Sequence, residues 1–540
     1  MTVLFGRNAH NTPPLDSTDV TFLDTTLRDG EQMPGVSLSA DEKAEIARDL
    51  DAAAVDFVEA GSACTSAGER ETISRVAGLG LDATVTSFAR GVRADVDHAL
   101  DCDVDGVNLV VPASDRHVET KVGSSREGVL ERTIELVEYA RDHGLWVEVL
   151  GEDGSRGDLE FLDRLSAVSM DAGAHRVCYC DTVGAASPER TAEVVSTLAT
   201  HGPVSVHTHD DLGLANANVL AGLNAGADLV HATVNGVGER AGNVALEEVA
   251  VALERCYGVE TLDLETLYRL ARRVADATGV PLGANKAVVG DNAFAHESGI
   301  HTDGTLKDGR MYEPYPPETV GRERRLVLGK HAGRAGVKAA LSEQDFDPDD
   351  DELDAIVARV KDLGDRGKRV TDADLRAVAT DVLGKERERR VELLSLSATS
   401  GGDVPTASVR LRVEDEERTS AGTGSGPVDA AVEAVRTALG PDANAALESY
   451  HVDAVTGGTD AVVAVEVTMR RGDRTATVSA ADADITRASV EAAVDALDRL
   501  LAEEAEATDG PGEVDARADG GRTTDGDRTT GDGSDADPAE

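Results

Sequence analysis

From about residue 20 to residue 255 the chain repeats one pattern, a short apolar run followed by a longer stretch with apolar residues at helical spacing. The short runs fall at 20–23, 57–60, 83–88, 106–111, 146–150, 175–180, 204–207 and 229–234. Amphipathic stretches separate them, among them 40–54, 125–143 and 188–200. The last begins at Pro188, a first-turn position where the missing N–H costs no helical bond. Eight such units predict an α/β fold, a closed (β/α)8 TIM barrel rather than an open doubly wound sheet. No Gly-x-Gly-x-x-Gly follows the first run, which argues against a dinucleotide-binding fold.

The remainder changes texture twice. Residues 260–385 read as mostly helical, interrupted at 284–334 by a polar segment rich in Gly, His and Pro. A long irregular segment inside a compact protein usually serves function. Near residue 390 the period shortens to that of strands. Runs at 391–397 and 407–413 precede a helix at 427–439, and the order recurs as 451–454, 461–469 and a helix at 485–501. The two helices echo each other in sequence, so the region reads as an internally duplicated α+β module of ligand-sensing size. Residues 1–18 form a loose polar arm, and 504–540 have too few apolar residues to fold and read as a disordered acidic tail. The expected division is a barrel at 19–283, a lid and helical linker at 284–388, and a regulatory module at 389–503.

Charge narrows the partners. Against 53 basic residues stand 102 acidic ones, a net charge of −49 over 540 residues. That field repels nucleic acid and anionic membranes. The acid is spread through every segment, and with few aromatics it resembles the composition of proteins adapted to high salt, where screening removes the self-repulsion. Cys64, Cys102, Cys178, Cys180 and Cys256 show no framework of paired spacings and are expected as reduced thiols. No leader and no membrane span are evident, so a soluble, cytoplasmic protein is expected.

Three stretches carry candidate chemistry. Asp24-Thr-Thr-Leu-Arg28-Asp29-Gly-Glu-Gln closes the first predicted strand with a dense polar cluster. Asp29 could hold a divalent cation and Arg28 the anion that the cation polarises; a surface salt bridge after a strand would read the same way. His207-Thr-His209 places two imidazoles on one face of the seventh strand. They are solvated if that face is outer, and a metal pair if it is the barrel interior near its C-terminal rim. The third stretch, Val234 to Asn243, follows the eighth strand with three glycines, a tight turn around something bound or simply a flexible loop. In a closed barrel the rims of strands 7, 8 and 1 are neighbours, so Asp29, His207, His209 and Asn243 can meet at one point. One carboxylate, two imidazoles and an amide oxygen suit Zn2+, Mn2+ or Mg2+ with positions left open for substrate.

These residues resemble a known family. Leu27-Arg-Asp-Gly-Glu-Gln, Glu152-Asp153, Asp181-Thr-Val-Gly, His207-Thr-His, Gly238-Glu-Arg-Ala-Gly-Asn, Phe294-Ala-His-Glu-Ser-Gly-Ile-His and Leu328-Gly-Lys-His-Ala-Gly-Arg look like motifs of the DRE-TIM metallolyases. The similarity is to their acyl-CoA condensing branch, the 2-isopropylmalate, citramalate and homocitrate synthases, and runs from about Val20 to Leu501. It implies an acyltransferase in which acetyl-CoA condenses with a 2-oxo acid on a divalent metal held by Asp29, His207, His209 and Asn243. Arg28 would stabilise the forming alkoxide, Thr182 would take the keto acid's carboxylate, and Glu152 would stand near the acetyl methyl. His301 and Tyr312 would reach over the site from the polar segment and move protons. It further implies a homodimer whose C-terminal module binds the end-product amino acid. His296, His331, Glu239 and Arg240 read as structural.

Specificity rests on smaller signs. Glu59 to Glu71, Leu109-Val-Val-Pro-Ala-Ser and Cys178-Tyr-Cys-Asp-Thr-Val-Gly resemble archaeal citramalate synthases, which implies pyruvate and isoleucine biosynthesis. The alternative is 2-oxoisovalerate and leucine biosynthesis; a catalytically dead amino-acid sensor is a more distant reading, and a lyase running the reverse cleavage is a nearer rival than that sensor. Asn108 stands where both synthase groups usually carry His. Asn108, Leu150, Cys178 and Cys180 are expected to set how large a side chain the keto acid carries.

Overall fold

The computed structural model describes residue 15 and residues 19–508, except 345, 366–369, 384–389, 400–403, 415, 441–444, 455–462 and 473. The expected tail beyond residue 508 and the N-terminal arm, apart from the buried Leu15, lie outside the described residues. The chain falls into two compact units that divide between residues 369 and 370.

The first unit holds eight parallel strands: β1 (Thr21–Asp24), β2 (Phe57–Ser62), β3 (Thr84–Arg90), β4 (Gly106–Pro112), β5 (Trp146–Glu152), β6 (Arg176–Asp181), β7 (Val204–Thr208) and β8 (Leu229–Ala232). They close into a barrel in chain order. Closure is made by β8 against β1, in register from Thr21↔Leu229 to Asp24↔Ala232. Helices α1 (Ala40–Ala52), α2 (Ala67–Ala77), α3 (Arg93–Asp101), α4 (Arg126–Asp142), α5 (Leu159–Asp171), α6 (Pro188–Leu198), α7 (Ala215–Asn224) and α8 (Leu246–Ala252) alternate with the strands. Local sequence starts several of them: Ser39 and Glu42 form a reciprocal capping box on α1, and Ser66, Ser125, Asp158 and Ser187 cap α2, α4, α5 and α6.

Strand alternation decides what faces where. Val58, Val85, Val107, Val147, Val177, Val206 and Val230 are buried members of one apolar core. Each enclosed valine contributes roughly 1.5–3 kcal/mol relative to exposure. Their sequence neighbours Glu59, Thr86, Asn108, Glu148, Cys178, His207 and His231 point the other way and are also buried. The barrel interior is therefore polar and rich in titratable groups.

The unit continues with α9 (Leu267–Thr278), a two-stranded parallel pair of β9 (Ala295–His296) and β10 (Arg325–Leu326), and helices α10 (Gly299–Lys307), α11 (Arg334–Ser342) and α12 (Asp350–Asp365).

The second unit opens with α13 (Asp372–Leu383). Strands β11 (Val391–Thr399), β12 (Thr406–Val413) and β13 (Glu416–Thr423) precede α14 (Pro427–Leu439). Strands β14 (Ala446–Ala454), β15 (Val463–Arg471) and β16 (Arg474–Asp482) precede α15 (Ile485–Thr508). Each triplet is an antiparallel meander, and one core joins the halves through Val409, Leu411, Val435, Val467, Val494 and Leu497. The expected duplication is present, with one strand more per half than the apolar pattern indicates. β13 and β16 open on Glu416-Glu-Arg and Arg474-Thr and pair along one side only. β14 also starts earlier than expected, because its first residues carry Glu448 and Ser449 among the apolar ones.

Candidate active site

Three chain segments meet at the C-terminal rim of strands 1, 7 and 8. Asp29 lies in the turn after β1, His207 near the end of β7, His209 just beyond it, and Asn243 in the loop after β8. His207 Nε2 stands 3.3 Å from Asp29 Oδ2, His209 Nε2 3.8 Å from the same oxygen, and the two Nε2 atoms are 3.3 Å apart. Asn243 reaches His209 because the preceding loop folds back on itself and pairs the two residues in an isolated antiparallel bridge. Gly242 permits that fold: its φ is +90°, and a Cβ there would meet the Gly236 carbonyl at 2.0 Å. The backbone brings Asp29, His207 and His209 within reach of one another and pairs Asn243 with His209.

The donor set fits a divalent cation. Asn243 donates Nδ2–H to the Val237 carbonyl at 3.3 Å, while its buried Oδ1 has no partner among the described residues. An enclosed carbonyl oxygen left unmatched is rare unless a ligand completes it. Burial, with His207 alongside, pushes the His209 imidazole down to about 4, so it is neutral at pH 7 with a lone pair to give. Burial opposes charge on Asp29, but Arg28 and His207 beside it outweigh burial and hold its carboxyl well below the usual range.

Arg28 is fixed from three sides. Its Nε donates to Glu59 Oε2 at 2.6 Å, its Nη1 lies 3.2 Å from Asp29 Oδ2, and its guanidinium covers the Phe88 ring with 4.7 Å to the centroid. Glu59 has no solvent exposure; it also accepts from Thr25 Oγ1 at 2.5 Å and from Asn108 Nδ2 at 2.7 Å. Asn108 donates further to Thr86 Oγ1 at 3.1 Å, and its Oδ1 is unmatched among the described residues. Glu59 escaped the reading of the sequence as a working residue. Its signal was there, a charge in the middle of the otherwise apolar strand Phe57-Val-Glu-Ala-Gly.

Leu150, Cys178 and Cys180 form a small buried cluster of their own with Val110 against it, and the two Sγ atoms are 3.7 Å apart. Burial, and Cys180 next to it, push the Cys178 thiol up. Thr182 follows β6; its Oγ1 accepts from the Asp153 amide at 2.9 Å, and its carbonyl accepts from Arg240 Nη2 at 2.7 Å. Arg240 also donates to Asp211 Oδ1 at 2.8 Å, tying the loops after β6, β7 and β8 together. Glu152 ends β5 with both oxygens accepting from Lys121 Nζ, at 2.5 and 2.7 Å. His301 and Tyr312 are both exposed, with ring centroids 4.3 Å apart. The structure brings these two together with each other rather than burying them with the ligand cluster. His296 stands 3.3 Å from Glu313, and the His331 amide donates to Glu297 at 3.3 Å.

Residues 19–274 match the family described as HMGL-like, 288–368 the homocitrate synthase post-HMGL domain-like family, and 369–501 the LeuA allosteric (dimerisation) domain. A protein of Methanothermobacter thermautotrophicus provisionally named (R)-citramalate synthase CimA is 54% identical over 488 residues, covering 90% of this chain and 98% of its own. The (R)-citramalate synthase CimA of Methanocaldococcus jannaschii is 47% identical over 488 residues, 89% of this chain and 99% of its own. Among solved structures, an HMG-CoA lyase of Bacillus subtilis is 22% identical with a TM-score of 0.46, covering 51% of this chain and 98% of its own. Among the described residues no helix is long and apolar enough to cross a membrane. With half of its residues shared along almost the entire length of such relatives, this chain belongs to the (R)-citramalate synthase family.

Proposed function

We propose that this chain condenses acetyl-CoA with pyruvate, giving (R)-citramalate and free CoA in the route to isoleucine. One C–C bond forms between the acetyl methyl carbon and the ketone carbon; water then takes the place of the CoA thiolate at the thioester. The observation that carries the reading is the convergence of Asp29, His207, His209 and the unmatched Asn243 oxygen beside Arg28.

A divalent cation held by these four residues would supply Lewis acidity toward the 2-oxo acid. Zn2+, Mn2+ and Mg2+ all suit the donors. The chain's own groups do the rest. Arg28, with Nε and Nη1 engaged, leaves Nη2 unengaged among the described residues to donate to the ketone oxygen as it gains charge. Thr182 takes the keto acid's carboxylate. The wall of Leu150, Cys178 and Cys180, together with Asn108 of β4, limits the alkyl group to a methyl. Glu152 receives a proton from the acetyl methyl once Lys121 gives way, and His301 and Tyr312 serve the later proton transfers. General bases of this kind contribute roughly 10²–10⁴-fold.

The C-terminal unit would bind isoleucine as feedback ligand and hold the chain as a homodimer, a reading supported by its match to an allosteric dimerisation domain. The experiment is CoA-thiol release from acetyl-CoA with pyruvate, 2-oxoisovalerate and 2-oxoglutarate in parallel, repeated with isoleucine and with leucine. Pyruvate should be fastest and isoleucine inhibitory. Equal rates with all three acids, or a preference for 2-oxoisovalerate, would overturn the assignment.

A further inference from the structure

One tier further into the barrel lies a second buried polar group that the proposed reaction does not use. Glu148 of β5 and His231 of β8 are wholly enclosed, with Glu148 Oε2 2.9 Å from His231 Nε2. Ser205 of β7 donates its hydroxyl to Glu148 Oε1. Burial opposes ionisation of Glu148, but His231, Ser205 and Arg176 hold its carboxyl below the usual range. Cys178 adds a third potential donor within 4.8 Å. Even so, this group is not arranged as a cation seat. Both Glu148 oxygens and His231 Nε2 are already engaged with protein partners.

Its relation to His207 is more telling. His207 and His231 are directly opposed on adjacent strands, and their rings meet edge to face, with centroids 5.6 Å apart and planes at 85°. A metal-binding imidazole ordinarily has its second nitrogen held by a carboxylate or carbonyl, which fixes the ring's rotation. His207 Nδ1 is buried and has no such partner among the described residues. Ring packing then fixes the plane that aims Nε2 at Asp29: the His209 ring lies edge-on at 5.1 Å and the His231 ring at 5.6 Å, and the His231 ring is itself pinned by Glu148.

We propose that His231 is a positioning residue for His207: clamped by Glu148 and Ser205, its imidazole sets the His207 ring plane and so shapes the cation site. The proposal rests on the reading of Asp29, His207, His209 and Asn243 as that site.

The test uses the full chain, stripped with chelator and titrated with Zn2+ against a chromophoric chelator, and loaded separately with Co2+ to read its visible spectrum. His231→Gln can still donate to Glu148 but removes the ring. It should weaken Zn2+ binding about 10–100-fold, the range for losing a supporting partner, and change the Co2+ spectrum. Glu148→Gln leaves every ring in place but loosens the clamp, and should move both readouts in the same direction by less. It also serves as the second arm if His231→Gln does not fold. Unchanged Zn2+ affinity and Co2+ spectrum in a folded variant would overturn the positioning role, as would two Zn2+ per wild-type chain with the second lost in Glu148→Gln. Asp29→Ala separates the premises: if it binds Zn2+ as wild type does, the cation site itself is misplaced, whereas loss of Zn2+ there with no effect of His231→Gln defeats only the positioning role.

Discussion

Arg28 Nε donates to Glu59 Oε2 at 2.6 Å, and the same carboxylate takes Thr25 and Asn108, so one enclosed acid holds strands 1, 2 and 4 to the guanidinium. Glu59→Gln keeps the shape but cannot accept from Arg28, Thr25 and Asn108 together, because its Nε2 only donates. Arg28 should lose its orientation toward the ketone oxygen. Removing one well-placed donor of this kind costs about 10²–10³ in turnover, so a misaimed one should cost roughly tenfold to a hundredfold in kcat, with a smaller change in the KM for pyruvate. Steady-state CoA release decides it; a variant with wild-type kcat would show that Arg28 needs no such support.

Asp29→Ala removes the only carboxylate of the ligand set. The variant should bind no stoichiometric Zn2+ or Mn2+ by elemental analysis and should show no CoA release above background. Chelator treatment of the wild type should abolish activity, and added cation should restore it. Full activity in a metal-free Asp29→Ala protein would remove the mechanism.

Much of this was legible in the sequence, for physical reasons that differ by region. Each barrel strand announces itself because its helix-facing side needs Val or Leu at every second position, as in Val204, Val206 and Val230. Closure then makes neighbours of β1 and β8, which brought Asp29 to His207 on paper. The strands β13 and β16 were not legible, since Glu416-Glu-Arg-Thr-Ser-Ala-Gly-Thr and Arg474-Thr-Ala-Thr-Val-Ser-Ala-Ala-Asp carry almost no large apolar side chain. Side-chain aim was equally hidden. Nothing in the sequence ties Lys121 to Glu152 or Arg240 to Thr182 and Asp211, because those bonds depend on loop conformations. The bond that Asn108 makes to Glu59, the acid holding Arg28, likewise appears only once the strands are set side by side.

Leu150, in register with Val110 on β4 and Cys178 on β6, stands in the middle of the small apolar wall. Leu150→Ala should make room for a branched side chain. Each methylene in such a pocket is worth about 1–3 kcal/mol, so the ratio of kcat/KM for 2-oxoisovalerate over pyruvate should rise roughly tenfold to two-hundredfold. An unchanged ratio would place the alkyl pocket elsewhere.

A net charge of −49 predicts salt dependence. Raising KCl from 0.1 to 1 M shortens the screening length from about 10 Å to about 3 Å, which weakens the repulsion among surface carboxylates. The thermal midpoint should climb steadily over this range. A flat or falling midpoint would mean that pairs such as Arg126–Asp115 outweigh the repulsion.

Asp24, at the end of β1, gives a pH dependence of opposite sign to the usual carboxylate. It accepts from the Thr26 amide and hydroxyl, both at 2.9 Å, yet burial, aided by Glu247 and Glu59 nearby, pushes it up to about 7. In the unfolded chain an Asp titrates near 3.9. Between those values the folded protein keeps a proton that the unfolded chain has released, so the stabilisation is complete below about pH 4 and is lost as pH rises through 7. Three units correspond to about 4 kcal/mol. Asp24→Asn carries no titrating group and can still accept from the Thr26 amide. Urea midpoints at pH 5 and pH 8 should therefore fall further in the wild type than in Asp24→Asn. Equal falls in the two proteins would mean that Asp24 is already ionised at pH 5, with Thr26 outweighing its burial.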